Sequence, residues 1–325
     1  MNTFSLVAVL IAATVSLVVV VVVVVVLRTA SARRSFRRLA SDIDVDPAAP
    51  VVVDVAPPYK LVRARHGWML VNPNDAYLGR AILEYGECCE LEVEFLMQLI
   101  SLRPGIVMEV GTNIGTHTVP MAKALALQNR RVVAFEPQPV IFQNLCANLA
   151  LNAIGNVTAW PNACGDQAST LYFSQPDYAS GGNFGGVSMS KTPVQSGVEI
   201  RCIRLDDVFG SESVALMKVD VEGFELLVLQ GAEGIVDRSR PILYVENDRI
   251  DKSEALIEWL WAKQYRLWWH TPPLFNPANF FSNANDRYPR VVSINMLCLP
   301  RESTIPVNGL EEIVSNRHPL EGAAA

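Results

Sequence analysis

The chain predicts an α/β fold on a mostly parallel sheet, set behind one N-terminal membrane anchor, and three observations carry that prediction. Short apolar runs of strand length recur at about 106–110, 131–135, 157–160, 199–203, 214–220, 241–246, 265–269 and 291–299. Helical patterns fall between several of them, at 115–127, 138–151, 224–231 and 253–263. Strands alternating with helices imply a parallel sheet covered on both faces. The third observation is an uncharged stretch at 4–27 that ends in consecutive valines at 18–26.

That stretch is long enough to cross a bilayer. At about 1.5 Å per residue it makes roughly 36 Å of helix, against a hydrocarbon core of about 30 Å. Valine disfavours this helix in water, but in lipid the backbone must satisfy its own hydrogen bonds. A cleaved signal peptide, with Ala30-Ser31-Ala32 as its cleavage site, is the rival. Against it, the apolar run exceeds the usual length, no Lys or Arg precedes it, and Arg28 separates run from site. The nearby positive charge (Arg28, Arg33, Arg34, Arg37, Arg38) follows the span, which puts the C-terminal part on the cytoplasmic side. The organisation expected is an anchor at 1–27, a basic then proline-rich linker at 28–58, a catalytic domain at 59–301 and a peripheral tail at 302–325.

Composition narrows the classes further. The chain has 325 residues and a net charge of -6, and its one dense basic cluster lies beside the apolar stretch, so a nucleic-acid footprint is not expected. Six cysteines, at 88, 89, 146, 164, 202 and 298, include no C-x-x-C pair, and several sit in apolar runs. Reduced, mostly buried thiols in a cytoplasmic domain fit this better than a disulfide framework or a zinc site. The segment 175–196, rich in glycine and serine, reads as a mobile insertion.

Two stretches carry chemistry. In VMEVGTNIGTHTVPMAKAL, at 107–125, Glu109 and Gly111 stand at the carboxyl end of a strand, where open parallel sheets bind ligands. Gly111 lets the backbone turn close to a ligand, and Gly115 lets the next helix approach the strand. Glu136 closes the following strand, about where a carboxylate meets ribose hydroxyls in nucleotide-binding units. The glycine pattern is G-T-N-I-G, without the central glycine that seats a dinucleotide pyrophosphate. Glu109 would repel pyrophosphate yet suit an ammonium, which favours S-adenosylmethionine (SAM): ribose and a cationic amine, but no phosphate. The plainer reading makes Glu109 and Glu136 solvated strand ends.

The second stretch is LMKVDVEGFELLVLQGAEGIV, at 216–236. Lys218 and Asp220 share one side of a strand and Glu222 follows just past its end, so three ionisable groups converge at one sheet edge. A lysine in an apolar strand needs a partner, and a structural Lys218–Asp220 pair competes with a catalytic role.

MEVGTNIG, AFEPQPVIFQNLCANLALN, LMKVDVEGFELLVLQGAE and ILYVEN together resemble the FkbM-type methyltransferases, a branch of the class I SAM-dependent enzymes. The likeness spans roughly 80–300, and K-x-D-V-E-G-x-E is its most specific part. The resemblance implies a Rossmann-like seven-stranded sheet with an antiparallel last hairpin, and methylation of hydroxyl oxygens on sugars, polyketides or similar acceptors. It implies that Glu109, Gly111, Asn113 and Gly115 form the SAM loop, that Glu136 holds the ribose and that Asp166 lies near adenine. This chain departs from the family in having Glu109 and Thr112 where Asp and Ala are common.

Methyl transfer from a sulfonium needs in-line positioning of the acceptor and a base to take its proton. Asp220 is the first candidate for that base or for orienting the acceptor, and Glu222 the second, with His117 and His270 as alternatives. No metal is required by the spacing, although Asp220 and Glu246 could share a divalent ion. Trp268, Trp269, Phe275, Phe280, Phe281 and Tyr288, with Asn276, Asn279, Asn283 and Asn285, suit a glycan or similar polyhydroxylated acceptor, free or lipid-linked, or else complete the core. The Phe-Asn-Pro loop among them is the better functional choice. A noncatalytic SAM-fold binding module and an NAD-linked oxidoreductase are the rival functions.

Overall fold

A computed structural model describes residues 50–321. The anchor expected at 1–27 lies outside them, as does the linker up to residue 49. Among the described residues no helix is long and apolar enough to cross a membrane.

The strands in chain order are β1 (Val52–Asp54), β2 (Lys60–Ala64), β3 (Gly67–Val71), β4 (Ile106–Val110), β5 (Val132–Phe135), β6 (Val157–Trp160), β7 (Ala163–Cys164), β8 (Ser169–Ser174), β9 (Gly197–Ile203), β10 (Val214–Val219), β11 (Ile242–Glu246), β12 (Tyr265–His270), β13 (Asn295–Pro300) and β14 (Glu311–Glu312). The helices are α1 (Leu78–Tyr85), α2 (Glu90–Leu99), α3 (Thr118–Ala126), α4 (Pro139–Leu151), α5 (Leu205–Phe209), α6 (Glu225–Gly231), α7 (Glu233–Ser239) and α8 (Ile250–Ala262).

The central sheet runs β14-β12-β13-β11-β10-β4-β5-β6. Its strands from β11 through β10, β4 and β5 to β6 are mutually parallel, whereas β13 is antiparallel to both neighbours. The mixed α/β sheet and its antiparallel hairpin are thus those of a class I methyltransferase-like fold, with β14 added as an eighth, edge strand. The order reverses between β4 and β10, so the cleft opens beyond the carboxyl ends of those two strands.

Alternation along each strand splits the core into two layers. Met108, Val110, Met217, Val219, Leu243 and Val245 pack with Val228 of α6, Ile235 of α7 and Ile257 of α8. Val107, Ala134, Leu216 and Tyr244 face the other way, against Leu96 of α2 and Met121 and Leu125 of α3. Burial on both faces explains why these strands carry no polar alternation, with two exceptions. Glu109 and Lys218 point to the α2–α3 side, and the register sets them directly opposite each other.

Four expectations change. The folded unit starts at Pro50, not residue 59, because Val52–Asp54 pairs with Lys60–Ala64 instead of acting as linker. The run expected at 199–203 is a strand, but of a separate three-stranded sheet with β7 and β8. The tail after Arg301 is more than peripheral: β14 pairs with β12, Ile313 is buried, and buried His318 bonds through Nε2 to the Asn247 carbonyl at 2.8 Å. The glycine-rich segment 175–196 is held in place, with Phe184 buried, the Gln138 amide donating to the Phe184 carbonyl, and the Tyr178 hydroxyl donating to Gln138.

Candidate active site

Two connected spaces open where β4 and β10 end. The smaller, about 50 Å³, is a slot walled by Phe135, Ala163, Leu171, Val187, Met189, Val221 and Phe224. The larger, about 500 Å³, is polar and reaches out past Glu92, His117, Glu246, Asp248, Arg249 and Asn295. Gly111, Glu136, Gly185, Asp220 and Glu222 line both.

The glycine loop is built by close approach. Gly111 has φ +88°, and a Cβ there would collide with the Asp220 carbonyl, so the β4 and β10 ends can meet only at a glycine. Gly111 and Thr112 both donate N–H to the Phe135 carbonyl, at 3.0 and 3.1 Å, which turns the chain over β5. Asn113 takes a left-handed φ of +48° and aims its N–H at Glu136 Oε2, at 3.0 Å. Glu136 Oε1 accepts from the Gln138 N–H at 2.9 Å. Both oxygens are therefore fixed by backbone donors, and each retains acceptor capacity toward the cavity. Burial pushes the Glu136 carboxyl up to about 7 despite these donors.

Glu109 belongs elsewhere than the sequence places it. It is fully buried and does not line either space. Its Oε2 accepts from Thr118 at 2.7 Å, its Oε1 has no hydrogen-bond partner, and burial raises it to about 7 against the opposing pull of Lys218. A ligand in either space would therefore not meet this side chain directly. The inward face of β4, covered by α3, seals the side chain, and it acts instead on Lys218.

Lys218 is 1% exposed and donates to Asp220 Oδ2 at 2.7 Å. Burial would raise the Asp220 carboxyl, but the Lys218 ammonium and its hydrogen bond hold it below the usual range, so Asp220 is anionic at the mouth of both spaces. Glu246 beside it goes the other way: burial, then the Asp220 charge, drive it well up. Glu222 sits at a left-handed φ of +56° and pairs with Arg249. Burial and then Asp220 bring it to about 7. Asp220, Glu222 and Glu246 bring carboxylate oxygens within 4.8 Å of one another, but Lys218 and Arg249 already neutralise two of the three.

Other expected residues fall outside. Asp166 lines neither space and lies 3.4 Å from Lys191; Asn162, Ala163 and Cys164 occupy the wall instead, because the chain turns outward after β7. His117 lines the larger space, buried and pushed down to about 3, whereas His270 bonds to the Tyr244 hydroxyl at 2.7 Å and faces away. The aromatic and asparagine segment is structural. Asn276 donates to Glu87, Asn279 to the carbonyls of Asn276 and Asn283, and Asn283 to the Glu84 carbonyl. Phe275 and Tyr288 pack edge-on against Tyr85. The Phe-Asn-Pro loop therefore clamps α1, and the cavity wall comes from the segment after it, Val291 through Asn295.

Sequence reasoning missed Cys89, Glu92, Asp248, Arg249 and the 183–189 stretch as wall residues. Only the last had a signal: a glycine cluster bringing backbone close to a ligand.

Residues 109–267 match the methyltransferase FkbM domain. The chain is 30% identical over 129 residues to the hexuronic acid methyltransferase AglP of Haloferax volcanii, covering 39% of this chain and 49% of that protein. It is also 30% identical to the methyltransferase sdnD of Sordaria araneosa, over 39% of this chain and 60% of that one. It thus spans about half the length of these curated relatives. The crystal structure of methyltransferase FkbM from Methylobacillus flagellatus superposes with TM-score 0.41 and 16% identity, covering 61% of this chain and 45% of that one.

Proposed function

We propose that this chain, which carries an FkbM methyltransferase domain at 109–267, moves a methyl group from SAM to a hydroxyl oxygen of a sugar, glycan or similar polyhydroxylated acceptor. The observation that carries this reading is the shared wall: an apolar slot and a polar cavity meet at Gly111, Glu136, Asp220 and Glu222.

The residues fit the cofactor. The slot between Phe135, Leu171 and Phe224 suits a purine ring, the Glu136 oxygens left free by their backbone donors suit ribose hydroxyls, and Gly111 lets the β4 and β10 ends close up beneath them. When bound, SAM supplies an electrophilic methyl carbon. The protein's part is to position an acceptor and receive its proton. Asp220, kept ionised by Lys218, accepts a hydrogen bond from the acceptor hydroxyl and orients its oxygen. Glu222, at about 7, is poised to carry a proton onward near neutral pH. Asn183, Ser293, Asn295 and Arg249 offer donors and acceptors for further hydroxyls. Support for a sugar acceptor also comes from the relative named for hexuronic acid methylation.

The apolar stretch at 4–27 and the arginines after it support a single-pass anchor with the domain facing the cytoplasm, which would bring lipid-linked acceptors within reach. Calorimetry with SAM and with NAD tests the cofactor: SAM should bind and NAD should not. Transfer of a labelled methyl from SAM onto a panel of free and lipid-linked sugars tests the chemistry. Tight SAM binding with no transfer to any hydroxyl acceptor would leave a binding module, and preference for NAD would end the proposal.

A further inference from the structure

The inner end of the larger cavity carries a set of groups the methyl-transfer reading does not use. Cys89 sits just before α2, Glu92 lies in its first turn, and His117 immediately precedes α3. Their donor atoms, a sulfur, a carboxylate oxygen and an imidazole nitrogen, all fall within 4.8 Å of one another, and all three residues line the cavity. We propose that Cys89, Glu92 and His117 form a binding site for a zinc-class divalent ion, with its open coordination position facing the acceptor space.

Three observations support this beyond the clustering. His117 is 7% exposed, yet its Nε2 has no hydrogen-bond partner. That nitrogen lies 3.8 Å from Glu92 Oε2, too long for a hydrogen bond and close to the spacing of two ligands about 2 Å from one ion. The surroundings are also acidic: Asp220, Glu109 and Glu92 all act on Lys218, the one buried lysine among the described residues. One sulfur, one nitrogen and one oxygen with a vacant fourth position is the donor set of open zinc sites, softer than calcium or magnesium prefer.

Metal coordination would take the Cys89 sulfur as its thiolate and release the thiol proton. The test needs only the metal and so stands apart from SAM binding or turnover. The purified full chain is stripped with a chelator and titrated with Zn²⁺, and with Co²⁺ to read thiolate-to-metal charge transfer. One ion should bind per chain, with proton release and a thiolate–cobalt band. Cys89→Ser and His117→Gln should each lose more than about tenfold in affinity, the loss that removing even a ligand's supporting residue produces. Cys89→Ser should also lose the band, while Cys88→Ser keeps both. Absence of stoichiometric binding, unchanged affinity in a folded Cys89→Ser chain, or loss of binding in Glu246→Gln alone would overturn the site.

Discussion

Glu136 and Asp220 are both acids at strand ends, yet their surroundings give them opposite tasks. Glu136 is fixed by two backbone N–H donors and presents its remaining lone pairs to the slot. Glu136→Ala should weaken SAM binding about tenfold or more, since charge-assisted bonds to ribose are worth about 1.5–3 kcal/mol; equal affinity in calorimetry would remove it from the cofactor site. Asp220 is both the partner of buried Lys218 and the anion at the acceptor side. Asp220→Asn keeps shape but leaves Lys218 less compensated, so both stability and turnover should fall. The orienting role predicts a loss of about 10² to 10⁴ in kcat with SAM affinity nearly retained. A folded Asp220→Asn enzyme with full turnover would reduce Asp220 to an anchor for Lys218. The sequence made Asp220, Glu222 and Glu136 legible because strand alternation and strand ends are local properties. It did not show that Glu109 lies under α3 and that Asp166 lies off the cavity wall, because helix coverage and the turn after β7 are not local.

At the scale of elements, the central-sheet strands from β4 through β13, the strand β9 and the helices α3, α4, α6 and α8 were readable, within a few residues at each end, whereas β7, β8, α5 and α7 were not. Much of what escaped has its partner distant in sequence. β1 to β3 are short and half exposed, α1 is clamped by residues some 200 positions away, and the tail finds its place only against β12. The tail supplies the sharper test. Ile313 donates its N–H to the Leu267 carbonyl, His318 stacks edge-on with Trp269, and both tail side chains are buried. Deleting the chain after Arg301 removes these contacts and strips the Asn247 carbonyl, next to cavity residues Glu246 and Asp248, of its His318 partner. Burial of one such side chain stabilises by about 1.5–3 kcal/mol, so thermal melting should drop by about 5 °C or more. An unchanged melting temperature would return the tail to the periphery that the sequence suggested.

Over the whole molecule the site gathers carboxyl groups into a region poor in water, and that fixes how stability responds to pH. Glu109, Glu136 and Glu222 are each raised from 4.5 to about 7, with burial as the leading cause in all three. A raised acid holds its proton longer folded than unfolded, so its stabilising contribution is complete below the unfolded value and is lost as pH climbs through about 7. The buried histidines act in the opposite sense. His117 and His270 are lowered from 6.5 to about 3 and about 4, so their contribution grows as pH rises toward 6.5 and levels off above it. Between pH 6.5 and 8 the histidine contribution to the slope fades, since the unfolded imidazole is half-protonated at 6.5, while the raised carboxyls, Glu246 with them, slope downward more strongly. Without ligand, the melting temperature should therefore fall across that interval, and Glu109→Gln, which cannot ionise, should flatten part of the decline. Glu109 gives the cleanest comparison because it touches neither cavity. Scanning calorimetry at pH 6.5, 7.25 and 8 measures this directly, and a melting temperature that stays level or rises would mean that these carboxyls are ionised throughout, with Lys218 outweighing burial.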